Sequence, residues 1–308
     1  MYPPGPYQVE LTPDGQRALV VSSSGFFSGG IGTLLGADDS PNGGSVLLVD
    51  LETEEVVFEF QTPQPPMGVE IAPDGKLAYA ANYGDQEVNG NTVTLLDLET
   101  GEVGESIEVG GRPEQIDLSP DGQLAVVNAA ADGSVVVFET QDPAATLSMQ
   151  VETSTDPSWP VFLEDGSGRV LVTDSMAPTG VTLVETGDPA APTVVERVPL
   201  VNFPYAAAPL LDGSGAIVVA SKFSDFDVHR IDTTGTQATV AWSATVPDAG
   251  GFPLGIAVDE SDGLILIPAG TANIGNKLVI MDLDGQSYDA VDWPATGVGP
   301  IYIALEPR

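Results

Sequence analysis

Apolar and polar residues alternate over short stretches of this chain, and the same series of stretches returns at near-constant intervals. In the second copy, residues 69–71 alternate, residues 73–75 (Pro-Asp-Gly) form a turn motif, and residues 77–82 are largely apolar. Residues 92–97 and 102–109 follow as a third and a fourth stretch. Alternation predicts half-buried strands, and a continuous apolar run predicts a strand buried on both faces. Each copy is therefore predicted to contain four short strands.

Each copy begins with a proline and reaches a tight-turn motif at a fixed distance. The prolines are Pro6, Pro66, Pro113, Pro157, Pro204, Pro253 and Pro300. An Asp-Gly pair starts eight residues later in the first five copies and nine residues later in the sixth, at residues 14–15, 74–75, 121–122, 165–166, 212–213 and 262–263. Successive prolines are between 44 residues (Pro113 to Pro157) and 60 residues (Pro6 to Pro66) apart. A period of this length indicates a repeat architecture.

The third stretch recurs in every complete copy, at residues 45–50, 92–97, 134–139, 180–185, 227–232 and 277–282. The sequence contains no recognisable amphipathic helix. Four short antiparallel strands per unit, repeated around an axis, predict an all-β fold of the β-propeller type. Six repeats are complete and a partial seventh begins at Pro300, with residues 301–305 predicted as its first strand, so six and seven blades both remain open. We expect a single domain over residues 1–308, because the copies follow one another without a linker.

Two segments of the second copy, residues 66–84 (PMGVEIAPDGKLAYAANYG) and 91–103 (NTVTLLDLETGEV), resemble the YVTN family of β-propeller repeats. The resemblance is close in the first three copies. Residues 180–194 (GVTLVETGDPAAPTV) look more like the related LVIVD repeat. Such repeats occur in bacterial and archaeal surface proteins, in lactonase-like enzymes and in some quinoprotein-like subunits. The resemblance therefore implies the fold and leaves the function open.

The charge balance limits the choice of partners. The chain has 45 acidic and 9 basic residues, a formal net charge of −36. Such a charge repels nucleic acid and anionic membrane surfaces. The acidic residues either form a solvated coat or collect cations such as Ca²⁺ or a basic partner.

The absence of cysteine excludes disulfides and thiolate metal sites. No apolar run is long enough for a transmembrane helix. Residues 1–5 do not resemble a signal peptide, and we expect an extracytoplasmic protein (secreted, periplasmic or on the cell surface) whose leader is absent from this chain.

In a four-stranded blade, the loops from the second to the third strand and the links between blades open on one side, which we call the loop face. The acids of the Asp-Gly turns belong to the other side and are explained by turn chemistry. The longest loop, residues 25–44, is predicted to be either a packed insertion or a lid for partner docking. Aromatic, amide and charged side chains are candidates for binding a protein, small molecule or glycan on the loop face. These candidates are Phe26, Phe27, Asn82, Tyr83, Asp85, Arg112, Asn128, Trp159, Asp174, Tyr205, Lys222, Phe252 and Asn273. Packing between blades is the alternative explanation for the aromatic residues.

Carboxylate oxygens are the ligands that Ca²⁺ prefers. The candidate metal ligands are Asp38, Asp39, Asp225, Asp227, Asp259 and Asp262, and none of them lies in an EF-hand pattern. No catalytic residue is predicted. His229 is the only histidine and is predicted to form a hydrogen-bonded structural pair with Arg230, and a Gly-x-Ser-x-Gly motif is absent.

These observations favour a non-catalytic extracytoplasmic or cell-surface propeller that serves as a ligand- or protein-binding scaffold or as an assembly subunit. The alternative is a metal-dependent, lactonase-like hydrolase with its site at the channel mouth. Convergence of three or more carboxylate or amide oxygens around a metal there would favour the hydrolase. A third possibility is self-assembly, in which the terminal strand pairs with a neighbouring molecule.

Overall fold

A computed structural model describes residues 5–23, 44–85, 88–142, 149–153, 156–176, 178–188, 191–222, 225–248, 253–271, 274–292 and 303–305. Within these ranges the chain forms six four-stranded sheets, and in each sheet the strands follow the order of the sequence. Paired strands run antiparallel. The fold is the predicted all-β β-propeller, and it has six four-stranded blades.

The contacts within the chain divide it into two compact units. Unit 1 comprises residues 1–150 and 304–308, and unit 2 comprises residues 151–303. The first blade consists of β1 (Gly5–Leu11), β2 (Arg17–Ser23), β3 (Gly44–Asp50) and β4 (Val56–Gln61). The second consists of β5 (Pro66–Ile71), β6 (Leu77–Gly84), β7 (Asn89–Asp97) and β8 (Val103–Glu108). The third consists of β9 (Ile116–Leu118), β10 (Leu124–Ala129), β11 (Ser134–Glu139) and β12 (Met149–Glu152).

Unit 2 contains the remaining three blades. The fourth consists of β13 (Pro157–Phe162), β14 (Arg169–Asp174), β15 (Gly180–Glu185) and β16 (Thr193–Pro199). The fifth consists of β17 (Phe203–Pro209), β18 (Gly215–Ser221), β19 (Phe226–Asp232) and β20 (Thr239–Val246). The sixth consists of β21 (Ala257–Asp259), β22 (Leu264–Thr271), β23 (Ile274–Asp282) and β24 (Tyr288–Asp292).

The Asp-Gly turns form as the sequence predicts. The glycine of each pair adopts a positive φ, for example 71° at Gly75 and 68° at Gly122. In five copies the aspartate Oδ1 accepts a hydrogen bond from the main-chain N–H two residues further on, as Asp74 does from Lys76 at 3.0 Å. In the sixth copy Oδ1 of Asp259, and not of Asp262, accepts the main-chain N–H groups of the turn. The turn acids therefore close the hairpins by local hydrogen bonding.

The apolar cores lie between neighbouring blades of each unit. In unit 1 one core joins residues of the second and third blades. In unit 2, Val218 belongs to the core between the fourth and fifth blades, whereas its neighbour Val219 belongs to the core between the fifth and sixth. Successive residues of a strand point to opposite faces, so the strand is buried on both sides. This arrangement explains the continuous apolar runs in the middle of every repeat.

The end of the chain differs from the prediction. Residues 301–305 were expected to form a strand of a seventh repeat, but residues 303–305 form none, and 301 and 302 lie outside the described residues. The division into two contact units leaves the single-domain expectation as a prediction. The only helical element in the described residues is the 3₁₀ turn Ala130–Asp132. No helix in this part of the chain has the length and hydropathy that crossing a membrane requires.

One glycine gives a direct test of the sheet geometry in unit 2. Gly215 begins β18 with a φ of 147°, and a Cβ at this position would lie 1.8 Å from the carbonyl oxygen of Ile231 in the paired strand. Gly215→Ala is expected to destabilise the protein by about 2–4 kcal/mol, because the strand backbone must move to admit the methyl group. The midpoint of urea unfolding measures this change. Gly187→Ala is the matched control, since a Cβ there meets nothing within 4 Å. Equal midpoints for both variants would contradict the described pairing of β18 and β19.

Candidate functional site

Two of the predicted binding residues have amide side chains that are buried and form hydrogen bonds within the protein. Asn82 is fully buried, and its amide nitrogen donates to the hydroxyls of Thr92 (2.9 Å) and Thr94 (2.7 Å). Asn128 is also fully buried, and its Oδ1 accepts from the main-chain N–H groups of Glu114 and Gln115. A buried polar group is stable only when it is hydrogen-bonded. These amides therefore hold strand ends and links in position.

The fourth blade shows the same use of polar side chains. Asp174 is 2% exposed and its Oδ2 accepts a hydrogen bond from Thr182. The predicted aromatic candidates Trp159 and Tyr205 are half-buried at the first strands of the fourth and fifth blades. The main-chain N–H of Trp159 donates to the Thr173 hydroxyl at 2.9 Å, and that hydroxyl is 3.5 Å from the carbonyl oxygen of Tyr205. These contacts tie the two first strands together.

The structure does bring three loop-face residues of unit 1 together. The guanidinium carbon of Arg112 lies 5.2 Å from the centroid of the Tyr83 ring. The Nε–H of Arg112 donates to Oδ1 of Asn89 at 2.8 Å. Asp85, a further candidate, accepts the main-chain N–H of Val88 at 2.7 Å. Phe26, Phe27, Phe252 and Asn273 lie outside the described residues.

A polar group with an internal ion pair lies in the fifth blade and in the link that precedes it. Nζ of Lys222 is 2.7 Å from Oδ1 of Asp227. Thr245 donates to the same oxygen at 2.6 Å, and Asn202 donates to the other oxygen at 2.7 Å. Burial alone would raise the pKa of Asp227, but the hydrogen bonds from Lys222 and Thr245 outweigh it and hold the pKa below its usual value. Both oxygens of this predicted metal ligand are thus engaged by protein donors.

The other predicted metal ligands have local partners or lie elsewhere. Asp225 accepts the N–H of Asp248 at 3.1 Å. Asp259 accepts the turn N–H groups of Ser261 and Asp262. Asp38 and Asp39 lie outside the described residues. Among the residues that are described, no group of three or more histidine, aspartate or glutamate side chains could hold a metal ion. The calcium site stays a prediction.

The single histidine is buried in the fifth blade. His229 is 4% exposed, and its Nδ1 is 2.7 Å from the hydroxyl of Ser243. Burial is the largest influence on the pKa of His229 and lowers it below 6.5, despite the nearby Asp227 charge. Arg230 bonds to Ser214 instead, so the predicted pair between His229 and Arg230 is wrong. The two residues are neighbours in a strand, and their side chains point to opposite faces.

Sequence analysis missed a group of three carboxyl side chains in unit 1, which we call the carboxyl triad: Glu10, Glu70 and Asp117. They lie on the first strands β1, β5 and β9, and each is four residues before the aspartate of its Asp-Gly turn. The same position in the other three repeats holds Val161, Ala208 and Val258. Counting back from each turn would have revealed the pattern.

The three carboxyl groups of the triad influence one another. Burial raises the pKa of Glu10 from 4.5 to about 8, and the charge of Asp117 adds to the effect. The pKa of Glu70 is raised well above its usual value, first by burial and then by the charges of Glu10 and Asp117. Like charges in a site of reduced solvation disfavour simultaneous ionisation. Glu10 therefore holds a proton at neutral pH, and the triad becomes a stronger cation ligand as the pH rises.

Comparisons with known proteins show the fold and no more. No family model and no curated protein matches the chain. The chain is similar to the solved structure of "Kuenenia stuttgartiensis Hydrazine Synthase", with a TM-score of 0.77 and 19% identity over 100% of this chain and 91% of that one. It is also similar to a functionally unknown protein from Desulfotomaculum acetoxidans DSM 771, with a TM-score of 0.71 and 17% identity over 95% of this chain and 86% of that one. The resemblance to YVTN repeats stays a prediction.

The raised pKa of Glu10 predicts an unusual dependence of stability on pH. A carboxyl group whose pKa is higher in the folded state binds more protons when folded, so the free energy of unfolding falls as the pH rises from about 4.5 to 8. Glu10→Gln removes this titration, and the variant should gain stability relative to the wild type over that range. Each pKa unit is worth about 1.4 kcal/mol, which sets the scale of the gain at a few kcal/mol.

Urea unfolding of both proteins at pH 5 and pH 8 measures the difference. Glu108→Gln is the control, because it makes the same substitution at an exposed position on the outer strand β8. A gain between pH 5 and pH 8 that is equal for both variants would show that net charge, and not the triad, is responsible.

Proposed function

We propose that this chain is a non-catalytic β-propeller that binds a positively charged group of a partner protein through the carboxyl triad. The observation that carries the proposal is the position of Glu10, Glu70 and Asp117 on the first strands of three successive blades. The charge of Asp117 raises the pKa of Glu10 and of Glu70, and the charge of Glu10 raises that of Glu70. Within unit 1 the first strands contact one another, β1 with β5 and β5 with β9. The proposal therefore concerns a site where these strands meet, which a side chain of the partner enters.

The charge of the surroundings supports a cationic ligand. The charges that shift the pKa of Glu10 and Glu70 all belong to other carboxyl groups. A cation in the triad would favour the ionised forms and lower these pKa values, so its binding would release protons. The net charge of −36 also raises the local concentration of cations and speeds their association.

A lysine or arginine side chain suits the triad better than a metal ion. No group of three carboxylate or histidine side chains among the described residues could ligate one metal. An ammonium or guanidinium group has several N–H donors spread over a larger volume, and it can bridge carboxylates that are further apart. The hydrolase alternative gains no support here and stays a prediction, as does binding of a glycan on the loop face.

An extracytoplasmic or cell-surface location belongs to this proposal. The resemblance to repeats of surface proteins supports it. Self-assembly through a terminal strand stays a prediction.

Calorimetric titration with acetyl-arginine-amide, which carries a single guanidinium group, tests the proposed function. We expect binding that strengthens between pH 6 and pH 9 and releases protons, which comparison of two buffers of different ionisation enthalpy detects. The variant Glu10→Gln, Glu70→Gln, Asp117→Asn should bind at least about tenfold more weakly, which corresponds to about 1.4 kcal/mol.

A matched variant distinguishes binding at the triad from attraction by the overall negative charge of the protein. Glu59→Gln, Glu99→Gln, Glu108→Gln makes the same number of carboxyl-to-amide substitutions at exposed positions of unit 1. It should retain nearly all of the affinity and the proton release. Equal losses in the two variants, or binding without proton release, would refute the triad as the site.

A further inference from the structure

A second feature of unit 1 has the opposite charge. Arg112, Tyr83 and Asn89 form a group on the loop face, between the second and third blades, which we call the Arg112 site. The guanidinium carbon lies 5.2 Å from the Tyr83 ring centroid, and Nε–H donates to Asn89 at 2.8 Å. Within the described ranges, the other two guanidinium nitrogens, Nη1 and Nη2, have no hydrogen-bond partner. These two nitrogens form the end of the planar fork that matches a carboxylate.

Arg112 has no carboxylate partner among the described residues, although acidic residues outnumber basic ones 45 to 9. Two carboxylates of the adjoining loops accept main-chain hydrogen bonds. Asp132 accepts the N–H of Gly111 at 2.7 Å, and Asp85 accepts the N–H of Val88 at 2.7 Å. Arg169, by contrast, forms an ion pair with Asp165. Arg112 is therefore a half-buried arginine without an ion pair in the part of the chain that the structure describes.

The main chain fixes the direction of the Arg112 side chain. Its φ of 55° lies in the left-handed region, which non-glycine residues rarely adopt. Its N–H donates to the carbonyl of Gly90 at 2.9 Å, and its own carbonyl accepts the N–H of Ala130 at 3.2 Å. These bonds tie the residue to the second and third blades at once. A group that is held in place before binding loses less conformational entropy when a ligand arrives.

We infer that the Arg112 site binds the carboxylate of a small monoanionic ligand. With Nε occupied by Asn89, the carboxylate docks end-on, and its two oxygens accept from Nη1 and Nη2. The Tyr83 ring is buried, with 9% exposed, and its face supports the guanidinium group. A monoanion fits better than a phosphate dianion, because the repulsion by the net charge of −36 doubles with the ligand charge. This site is independent of the carboxyl triad, which takes the opposite charge through other residues.

Titration of the protein with sodium benzoate, followed by the side-chain Nε–H resonances of its arginines, tests the inference. Sodium chloride is withdrawn as benzoate is added, so the ionic strength stays constant. The Arg112 resonance and the amide of Gly111 should shift in a saturable manner with a dissociation constant of about 1–10 mM. Arg169 is the internal control, because its terminal nitrogen already binds Asp165. Benzamide, the uncharged match of benzoate, should cause no such shift.

Two variants complete the test. Arg112→Gln should abolish the saturable shift of the Gly111 amide, and Arg112→Lys should weaken binding at least about fivefold, because lysine keeps the charge but loses the fork. Should Arg112→Gln fail to fold, the wild-type titration and Arg112→Lys decide the matter. Absence of a saturable shift up to about 50 mM benzoate, an equal response to benzamide, or unchanged affinity in Arg112→Lys would each overturn the inference. The triad variant should bind benzoate as well as the wild type, so failure of the proposed function would be recognised separately.

Discussion

A four-stranded blade cannot bury both of its apolar faces by itself, and the structure of this chain follows from that constraint. Val218 and Val219 are neighbours in one strand, yet they belong to cores shared with different blades. Burial of apolar surface is the dominant stabilising term in folding, so each blade depends on its neighbours for stability. Polar side chains inside this arrangement must find partners there, which is why Asn82 and Asn128 bind strand ends and links.

The same arrangement converts a sequence period into a site. One residue per repeat, four positions before each Asp-Gly turn, becomes a group of interacting carboxyl groups when three successive blades stand side by side. A single glutamate at this position would be an ordinary polar residue of a half-buried strand. Here two glutamates share a region of reduced solvation, and the charge of Asp117 disfavours the ionisation of both. The unusual chemistry of Glu10 and Glu70 is thus a product of repetition.

Local rules were sufficient to predict the blades but insufficient to predict the site. The turn glycines and the apolar third strands follow from backbone and burial preferences within a few residues, and the structure confirms both. Asp227 accepts hydrogen bonds from Lys222, Thr245 and Asn202. These residues come together only when the strands of the fifth blade pair and the link before that blade packs against them. A pattern of isolated acids cannot distinguish an ion pair from a metal ligand. The carboxyl triad was missed for the same reason, because each member looks like the outward residue of an alternating strand.

The ionisation of Glu10 tests the central claim most directly. Selective ¹³C labelling of glutamate side chains, with Glu10 and Glu70 assigned by substitution, allows each carboxyl group to be titrated by NMR. The account predicts that Glu10 titrates near pH 8 and that Asp117→Asn lowers this value, since one neighbouring charge is removed. Titration of Glu10 near 4.5, unchanged by Asp117→Asn, would show that the three carboxyl groups act independently and would contradict the account.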